Sequence, residues 1–135
     1  MTNDIRWKQR FSNFTKAHLR LLEAATANKK DPSNTLIQMA LIQSFEFTYE
    51  LGWKVMKDYL KHNGVEATLP REVIKAAFQY GILEDGQAWI DMMEDRNLMA
   101  HTYDDAKAEL AIQHICQKYL KSITQVYTYF NERNH

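Results

Sequence analysis

Apolar residues recur at alternating spacings of four and three along most of this chain, which is the period of an α-helix. The first such stripe predicts a helix from about Asp4 to Ala27, buried at Trp7, Phe11, Phe14, His18, Leu21 and Ala25. The last stripe predicts a helix from about Asp104 to Phe130, buried at Ile112, Ile115, Tyr119, Ile123, Val126 and Phe130. With only 4 Gly and 2 Pro, the chain lacks the turns of a β architecture, so we predict an all-α fold.

Turn signals mark three further helices between these two segments. Asn34 can cap a second helix from about Thr35 to His62, which is apolar on more than one side and is therefore predicted to be central. The pair Asn63 and Gly64 ends that helix. A short third helix is predicted from Pro70 to about Gln79, and a fourth from about Asp85 to Ala100.

The connections between the long helices are short, and helices joined by short connections pack antiparallel. The sequence therefore predicts an up-down four-helix bundle with an additional short helix. No linker, internal repeat or low-complexity segment divides the 135 residues, and a chain of this length can bury one core. We predict a single domain over residues 1–135.

Charge and cysteine content limit the classes of function. The 17 Lys and Arg residues balance 17 Asp and Glu residues and are scattered, so the chain lacks the basic stripe of a sequence-independent nucleic-acid binder. Any contact with nucleic acid is expected to be local. Cys116 is the single cysteine, and the sequence shows neither a signal segment nor a membrane-spanning apolar run, so we expect a cytoplasmic protein without a membrane partner.

The segment RNLMAHTYDD carries the only grouping of residues that indicates chemistry. It places a permanent cation, an amide, an imidazole and a phenol within eight positions, at Arg96, Asn97, His101 and Tyr103. A guanidinium and an amide can bind a phosphate, and an imidazole can take up or release a proton near neutral pH. These groups can cleave RNA through the ribose 2′-hydroxyl without a metal, so we predict neither a metal nor a cofactor.

Arg96 lacks an oppositely charged residue three or four positions away, because methionine and alanine fill those positions. Glu46 on the second helix likewise has no cationic neighbour at helical spacing. Three interpretations stay open: Arg96 and Glu46 form a buried ion pair between the second and fourth helices, Arg96 faces solvent, or Arg96 holds a bound anion. Glu46 and Asn97 are therefore kept as supporting residues of the candidate site.

Arg96 and His101 cannot both face one atom from a single straight helix. Five residues at about 100° each leave the two side chains about 140° apart. Either His101 lies where the last turn frays, or two copies of the helix meet across a two-fold axis and pair the Arg of one subunit with the His of the other. We favour the second arrangement and predict a homodimer.

The segment RNLMAHTYD resembles the R-x-x-x-x-H-x-Y signature of the HEPN superfamily (higher eukaryotes and prokaryotes nucleotide-binding), with Arg96, His101 and Tyr103 at its fixed positions. The resemblance extends over nearly the whole chain. Three long segments are similar to the branch called nucleotidyltransferase substrate-binding protein. They are FEFTYELGWKVMKDYL, PREVIKAAFQYGIL and WIDMMEDRNLMAHTYD. In that branch the helical protein is encoded beside a minimal nucleotidyltransferase, and the pair resembles a toxin and antitoxin system.

The resemblance implies that this chain is the toxin, a metal-independent ribonuclease that works as a homodimer. Arg96 and His101 would be the catalytic residues, with Asn97 as the polar residue that follows the arginine. Tyr103 would be adenylylated by the cognate minimal nucleotidyltransferase antitoxin, which would silence the enzyme. The neutral net charge favours a compact RNA substrate, such as a tRNA end, over broad RNA degradation.

A second hypothesis takes the protein as a non-catalytic accessory subunit that presents a nucleotide or other substrate to the nucleotidyltransferase. A third hypothesis is that the aromatic residues and methionines serve only to pack the hydrophobic core. Met92 and Met93 are the exception, because they are predicted to form an adaptable surface at a dimer seam. His18 is predicted to be a hydrogen-bonded core histidine, because it replaces an apolar residue in the stripe of the first helix.

Overall fold

The computed structural model describes residues 3–95, 99 and 104–135, and every regular element within them is helical. The elements are α1 (Asn3–Lys30), α2 (Thr35–His62), α3 (Pro70–Tyr80), α4 (Gly86–Glu94), α5 (Asp105–His114), a π-helical turn (Ile115–Tyr119) and α6 (Leu120–Arg133). Helix α2 is central, since it packs along α1 and also contacts α3, α5 and α6. The predicted all-α bundle with an additional short helix is confirmed.

The ends of the helices follow the turn signals of the sequence. The Asn34 side chain accepts hydrogen bonds from the backbone amides of Leu36 and Ile37, at 3.0 and 3.2 Å, and so caps α2 as predicted. At the other end of α2, Gly64 adopts a φ of 82°, the left-handed conformation that favours glycine. Helix α1 extends three residues beyond its predicted end, to Lys30.

The two predicted apolar stripes form the core where they meet α2. The buried members from the outer helices are Trp7, Phe11, Phe14, Leu21, Ile115, Tyr119, Ile123, Val126 and Phe130. His18 lies among them with 5% of its surface exposed, and its Nε2 is 2.9 Å from the hydroxyl oxygen of Thr124. The prediction of a hydrogen-bonded core histidine is confirmed.

The predicted single helix from Asp104 to Phe130 contains a feature that the sequence pattern did not indicate. Between α5 and α6 the backbone forms one π-helical turn, in which the amide of Leu120 donates to the carbonyl of Ile115, five residues earlier. The helix continues on both sides of this turn, so the path of the chain is as predicted while its hydrogen bonding is not. Apolar spacings of three and four are compatible with either geometry.

Met92 was predicted to lie at a dimer seam, and that prediction is wrong. The side chain is 1% exposed and belongs to the core, because it shares the inward face of α4 with Ala88 and Trp89 at helical spacing. Met93 is partly buried and packs against the same core. Among the described residues, no helix is both long and apolar enough to cross a bilayer.

Candidate active site

The catalytic residues predicted from the sequence, Arg96 and His101, lie outside the described residues, as do Asn97 and Tyr103. The structure does describe the residues that flank this segment. Asp95 follows the end of α4 directly, and Asp104 precedes α5. The described residues on both sides of the segment therefore show how its two ends are attached to the helical bundle.

Asp95 and Met99 are the described residues on either side of Arg96. The backbone amide of Met99 donates to the carbonyl oxygen of Asp95 at 3.0 Å, and the amide of Asp95 donates to Asp91 at 2.9 Å. The Met99 side chain is 6% exposed and lies in the hydrophobic core. The chain is thus fixed by backbone hydrogen bonds and packing immediately before Arg96 and three residues after it.

The Asp95 side chain is held by two residues of the last helix, which here means the continuous helical segment formed by α5, the π-helical turn and α6. Its Oδ2 accepts a hydrogen bond from the Tyr119 hydroxyl and lies 2.8 Å from Nδ1 of His114. Because a carboxylate can only accept, Nδ1 of His114 carries the proton of this contact. The carboxylate of Asp95 is 21% exposed, so these two bonds replace much of its contact with water.

The π-helical turn presents Tyr119 to Asp95. The Tyr119 ring is buried and packs on Phe45 of α2, with 5.4 Å between the ring centroids. Its hydroxyl donates a hydrogen bond to the carboxylate of Asp95. Burial, reinforced by the hydrogen bond to Asp95, raises the pKa of Tyr119 well above its ordinary value, so the phenol remains a donor. Tyr119 therefore links the core of the bundle to the residue before Arg96.

A second contact joins the same two elements one turn earlier. Lys118, also in the π-helical turn, pairs with Asp91 of α4, and Gln87 donates to Asp91 at 2.8 Å. The hydrogen bond from Lys118, followed by that from Gln87, lowers the pKa of Asp91 below its ordinary value. α4 is thus attached to the π-helical turn by two polar contacts, of which only one involves Asp95.

Glu46 lies on α2 with an exposed side chain, next to the exposed ring of Phe47. Partial desolvation raises the pKa of Glu46 above its ordinary value, so its environment is less favourable to a negative charge than water is. The ion pair with Arg96 that the sequence left open remains a prediction, because its other member lies outside the described residues.

Asp104 fixes the chain on the C-terminal side of the segment. Its Oδ1 accepts from the amides of Ala106 and Lys107, at 3.0 and 3.2 Å, and so caps the first turn of α5. The residues between Met99 and Asp104 therefore join a buried position of the core to a capped helix end. His101 and Tyr103 belong to this stretch.

Sequence reasoning missed Asp95, His114 and Tyr119, which are separated by 19 and 24 positions along the chain. A partial signal was present, since Asp95, like Arg96, has no opposite charge at helical spacing on its own helix. Its partners could not be predicted from the local pattern, because they come from a later part of the chain. Among the described residues, no three His, Cys, Asp or Glu side chains are placed to hold a metal ion.

Comparison with known proteins points to one family. The model of the family described as "Nucleotidyltransferase substrate binding protein like" matches residues 9–132. A curated relative from Haemophilus influenzae, named "Probable ribonuclease HepT", is 36% identical over an alignment of 80 residues, and the match covers 56% of this chain and 54% of the relative. The chain therefore matches about half the length of that relative.

Two solved structures share the fold. A crystal structure of a protein from Thermus thermophilus superposes with a TM-score of 0.75 at 30% identity, covering 85% of this chain and 96% of that one. A second structure, from Haemophilus influenzae, has a TM-score of 0.80 at 22% identity and covers 90% of this chain and 98% of that one. That protein is described as having "the fold of a substrate binding domain of a nucleotidyltransferase", and at this identity it supports the fold alone.

Proposed function

This chain belongs to the nucleotidyltransferase substrate binding protein like family, and on that premise we propose that it is a toxin-type ribonuclease that cleaves RNA without a metal ion. The observation that carries the proposal is the signature Arg96-x-x-x-x-His101-x-Tyr103, which begins directly after Asp95, a residue fixed by the last helix. The name of the Haemophilus relative, a probable ribonuclease, supports the same activity.

The proposed reaction uses groups that this segment supplies. Neutral His101 accepts the proton of the ribose 2′-hydroxyl, and the 2′-oxygen attacks the neighbouring phosphorus. The bond from phosphorus to the 5′-oxygen breaks, this oxygen takes up a proton, and the products are a 2′,3′-cyclic phosphate and a 5′-hydroxyl end. Arg96 and Asn97 bind the negative charge that builds up on the phosphoryl oxygens.

We place the active site at the interface of a homodimer. A two-fold axis brings Arg96 of one subunit towards His101 of the other, which resolves the angle of about 140° that separates these residues on a single helix. The second His101 of the dimer is then available to protonate the leaving 5′-oxygen. The dimer, the RNA substrate and its cleavage position belong to the proposal.

Regulation by a cognate minimal nucleotidyltransferase completes the proposal. The antitoxin transfers AMP from ATP to the Tyr103 oxygen and releases pyrophosphate. The new phosphodiester carries a negative charge two positions from His101, where it competes with the RNA phosphate for Arg96. One modification therefore both fills and neutralises the site.

The direct test is RNA cleavage by the purified protein in the presence of a chelator. We expect cleavage with cyclic phosphate ends, and a loss of about 100-fold or more in His101→Ala, since the variant lacks the general base. His62→Ala is the matched control, because His62 is an exposed histidine at the end of α2 that pairs with Asp4 at 3.5 Å and lies outside the signature. Equal activity in His101→Ala and His62→Ala would refute the catalytic role of His101.

A second candidate function follows from the family description, which refers to substrate binding. In this alternative the bundle is a non-catalytic subunit that presents a nucleotide or another substrate to the nucleotidyltransferase. It predicts that wild type and His101→Ala are equally inert towards RNA. It also predicts that the chain binds a nucleotide or its partner enzyme, which calorimetry with purified components measures.

A further inference from the structure

We propose that Asp95 is a positioning residue for Arg96 and that Tyr119 and His114 act through it. This inference rests on the proposed function, because positioning has a purpose only if Arg96 binds the reacting phosphate. Asp95 directly precedes Arg96 in the chain, and its side chain is bound by two groups from the last helix. None of these three residues belongs to the R-x-x-x-x-H-x-Y signature.

The geometry fixes Asp95 at three of its groups. The amide donates to Asp91, the carbonyl accepts from Met99, and the carboxylate binds Tyr119 and His114. Backbone bonds alone would leave the end of α4 free to fray, since the last turn of a helix has few internal partners. The side-chain bonds attach this end to the core through the buried ring of Tyr119.

Attachment of Asp95 to the core should affect the rate of RNA cleavage through the position of Arg96. A phosphoryl-transfer site depends on positioning, and a displacement of about 1 Å in a binding group can cost on the order of 100-fold in rate. The two bonds also commit the negative charge of Asp95 to the last helix. A carboxylate next to Arg96 that lacked such partners would be a competitor for its guanidinium.

A purely structural connection between α4 and the π-helical turn is the competing explanation, and the fold contains its own control. Lys118 pairs with Asp91 and joins the same two elements without touching Asp95. If the contacts serve only to fasten α4, removal of either one should have the same effect. If Asp95 positions Arg96, removal of the Tyr119 hydroxyl should lower the rate of RNA cleavage far more than removal of the Lys118 charge.

The experiment compares Tyr119→Phe with Lys118→Gln in steady-state cleavage of a short RNA by the 135-residue chain. Phe keeps the buried ring and removes only the hydroxyl that binds Asp95. We expect kcat to fall about 10-fold in Tyr119→Phe with KM within about twofold, and both constants to remain near wild type in Lys118→Gln. An unchanged kcat in Tyr119→Phe, an equal loss in both variants, or a change confined to KM overturns the proposal.

A conservative rescue tests the second partner of Asp95. His114→Asn keeps an N–H donor close to the position of Nδ1, whereas His114→Leu removes it. We expect His114→Asn to retain most of the wild-type kcat and His114→Leu to fall about 10-fold, like Tyr119→Phe. Equal values of kcat in the Asn and Leu variants contradict a role through Asp95.

Hydrogen exchange of the backbone over residues 95–103 separates failure of this inference from failure of the proposed function. If the wild-type protein does not cleave RNA, the ribonuclease proposal fails whatever Asp95 does. The anchoring by Asp95 is then judged by exchange alone: exchange about 10-fold faster in Tyr119→Phe than in Lys118→Gln supports it. Equal exchange rates in the two variants overturn it.

Discussion

The imidazole of His18 lies 2.9 Å from the hydroxyl of Thr124, and this contact joins α1 to α6 inside the core. The ring is stacked on Phe14 and on Tyr127, with centroids 6.2 and 5.0 Å away. Burial lowers the pKa of His18 below its ordinary value of 6.5, because the protonated ring would have to leave water. At and above neutral pH the folded protein therefore favours the neutral form of this histidine.

The stability of the protein should depend on pH through His18. The unfolded chain binds a proton at the ordinary pKa, so stability is fully present above that pKa and is lost as the pH falls from it towards the lower pKa of the folded state. Between pH 7.5 and 5.5 the free energy of unfolding should fall more steeply in wild type than in His18→Gln, by at most about 1.4 kcal/mol per pH unit. Denaturant titrations measure both slopes, and parallel curves would contradict the assignment.

Gly52 marks a close approach of α2 to side chains of α1 and α4. A β-carbon at this position would lie 2.7 Å from Cη2 of Trp89 and 3.0 Å from Cε1 of Phe14, both in fully buried rings. Gly52→Ala should therefore lower the free energy of unfolding by about 1–3 kcal/mol, the usual cost of overpacking. Thermal or denaturant unfolding measures this loss.

Gly86 provides the matched control for this substitution. A β-carbon there would lie 3.1 Å from Cδ1 of Phe78, whose side chain is 53% exposed and can turn towards solvent. We expect Gly86→Ala to stay within about 0.5 kcal/mol of wild type, as substitutions at adaptable surface positions do. Similar losses in the two variants would mean that packing against Trp89 is not the cause.

Arg10 and Asp58 form a partly buried ion pair between α1 and α2, with 2.6 Å between Nε and Oδ2. The Asp58 side chain is 10% exposed, so Arg10→Met leaves a desolvated carboxylate without this partner. The free energy of unfolding should fall by about 1–3 kcal/mol. Arg20→Met removes an exposed pair with Glu23 and should cost no more than about 0.5 kcal/mol, and equal losses in the two variants would contradict this distinction.

Mixed dimers test whether Arg96 and His101 meet across a subunit interface. Arg96→Ala and His101→Ala should each be inactive, but a mixed dimer contains one site with both native residues if the site spans two subunits. That site lacks the second His101, so the substrate should be a ribonucleoside 3′-(4-nitrophenyl phosphate), whose leaving group needs no proton. Refolding the two variants together in equal amounts should restore about a quarter of the wild-type cleavage of this substrate, because half of the dimers are mixed and each has one of two sites. Absence of any recovery would contradict a site shared between the subunits.

Co-expression with the cognate nucleotidyltransferase tests the role of Tyr103. We expect intact-protein mass spectrometry to detect one or more added AMP groups on the wild-type chain and none on Tyr103→Phe. The modified protein should cleave RNA at least about 100-fold more slowly, because its phosphate competes for Arg96. An unmodified Tyr103 under these conditions would contradict the regulatory proposal.

The fold was largely predictable because the ends of its helices depend on the local chemistry of a few residues. Asn34 as a cap and Gly64 in a left-handed conformation gave the bounds of α2, and helical periodicity identified the buried faces. The contacts of Asp95 were not predictable, since the partners of this residue come from a helix that reaches it only after folding. The burial of Met92 was missed for a related reason: the periodicity of α4 alone does not reveal what its apolar face contacts.

The π-helical turn over Ile115–Tyr119 accommodates one residue more than a regular turn would. Loss of the extra residue would regularise the helix and leave its two halves in nearly the same relative orientation, because a π-helical turn takes up one inserted residue. The core faces of α5 and α6 would survive, but the turn would no longer present Lys118 and Tyr119 to α4 and Asp95. Related genes that lack one codon between His114 and Phe130 should therefore keep the apolar core residues and lose the tyrosine or the aspartate of this contact.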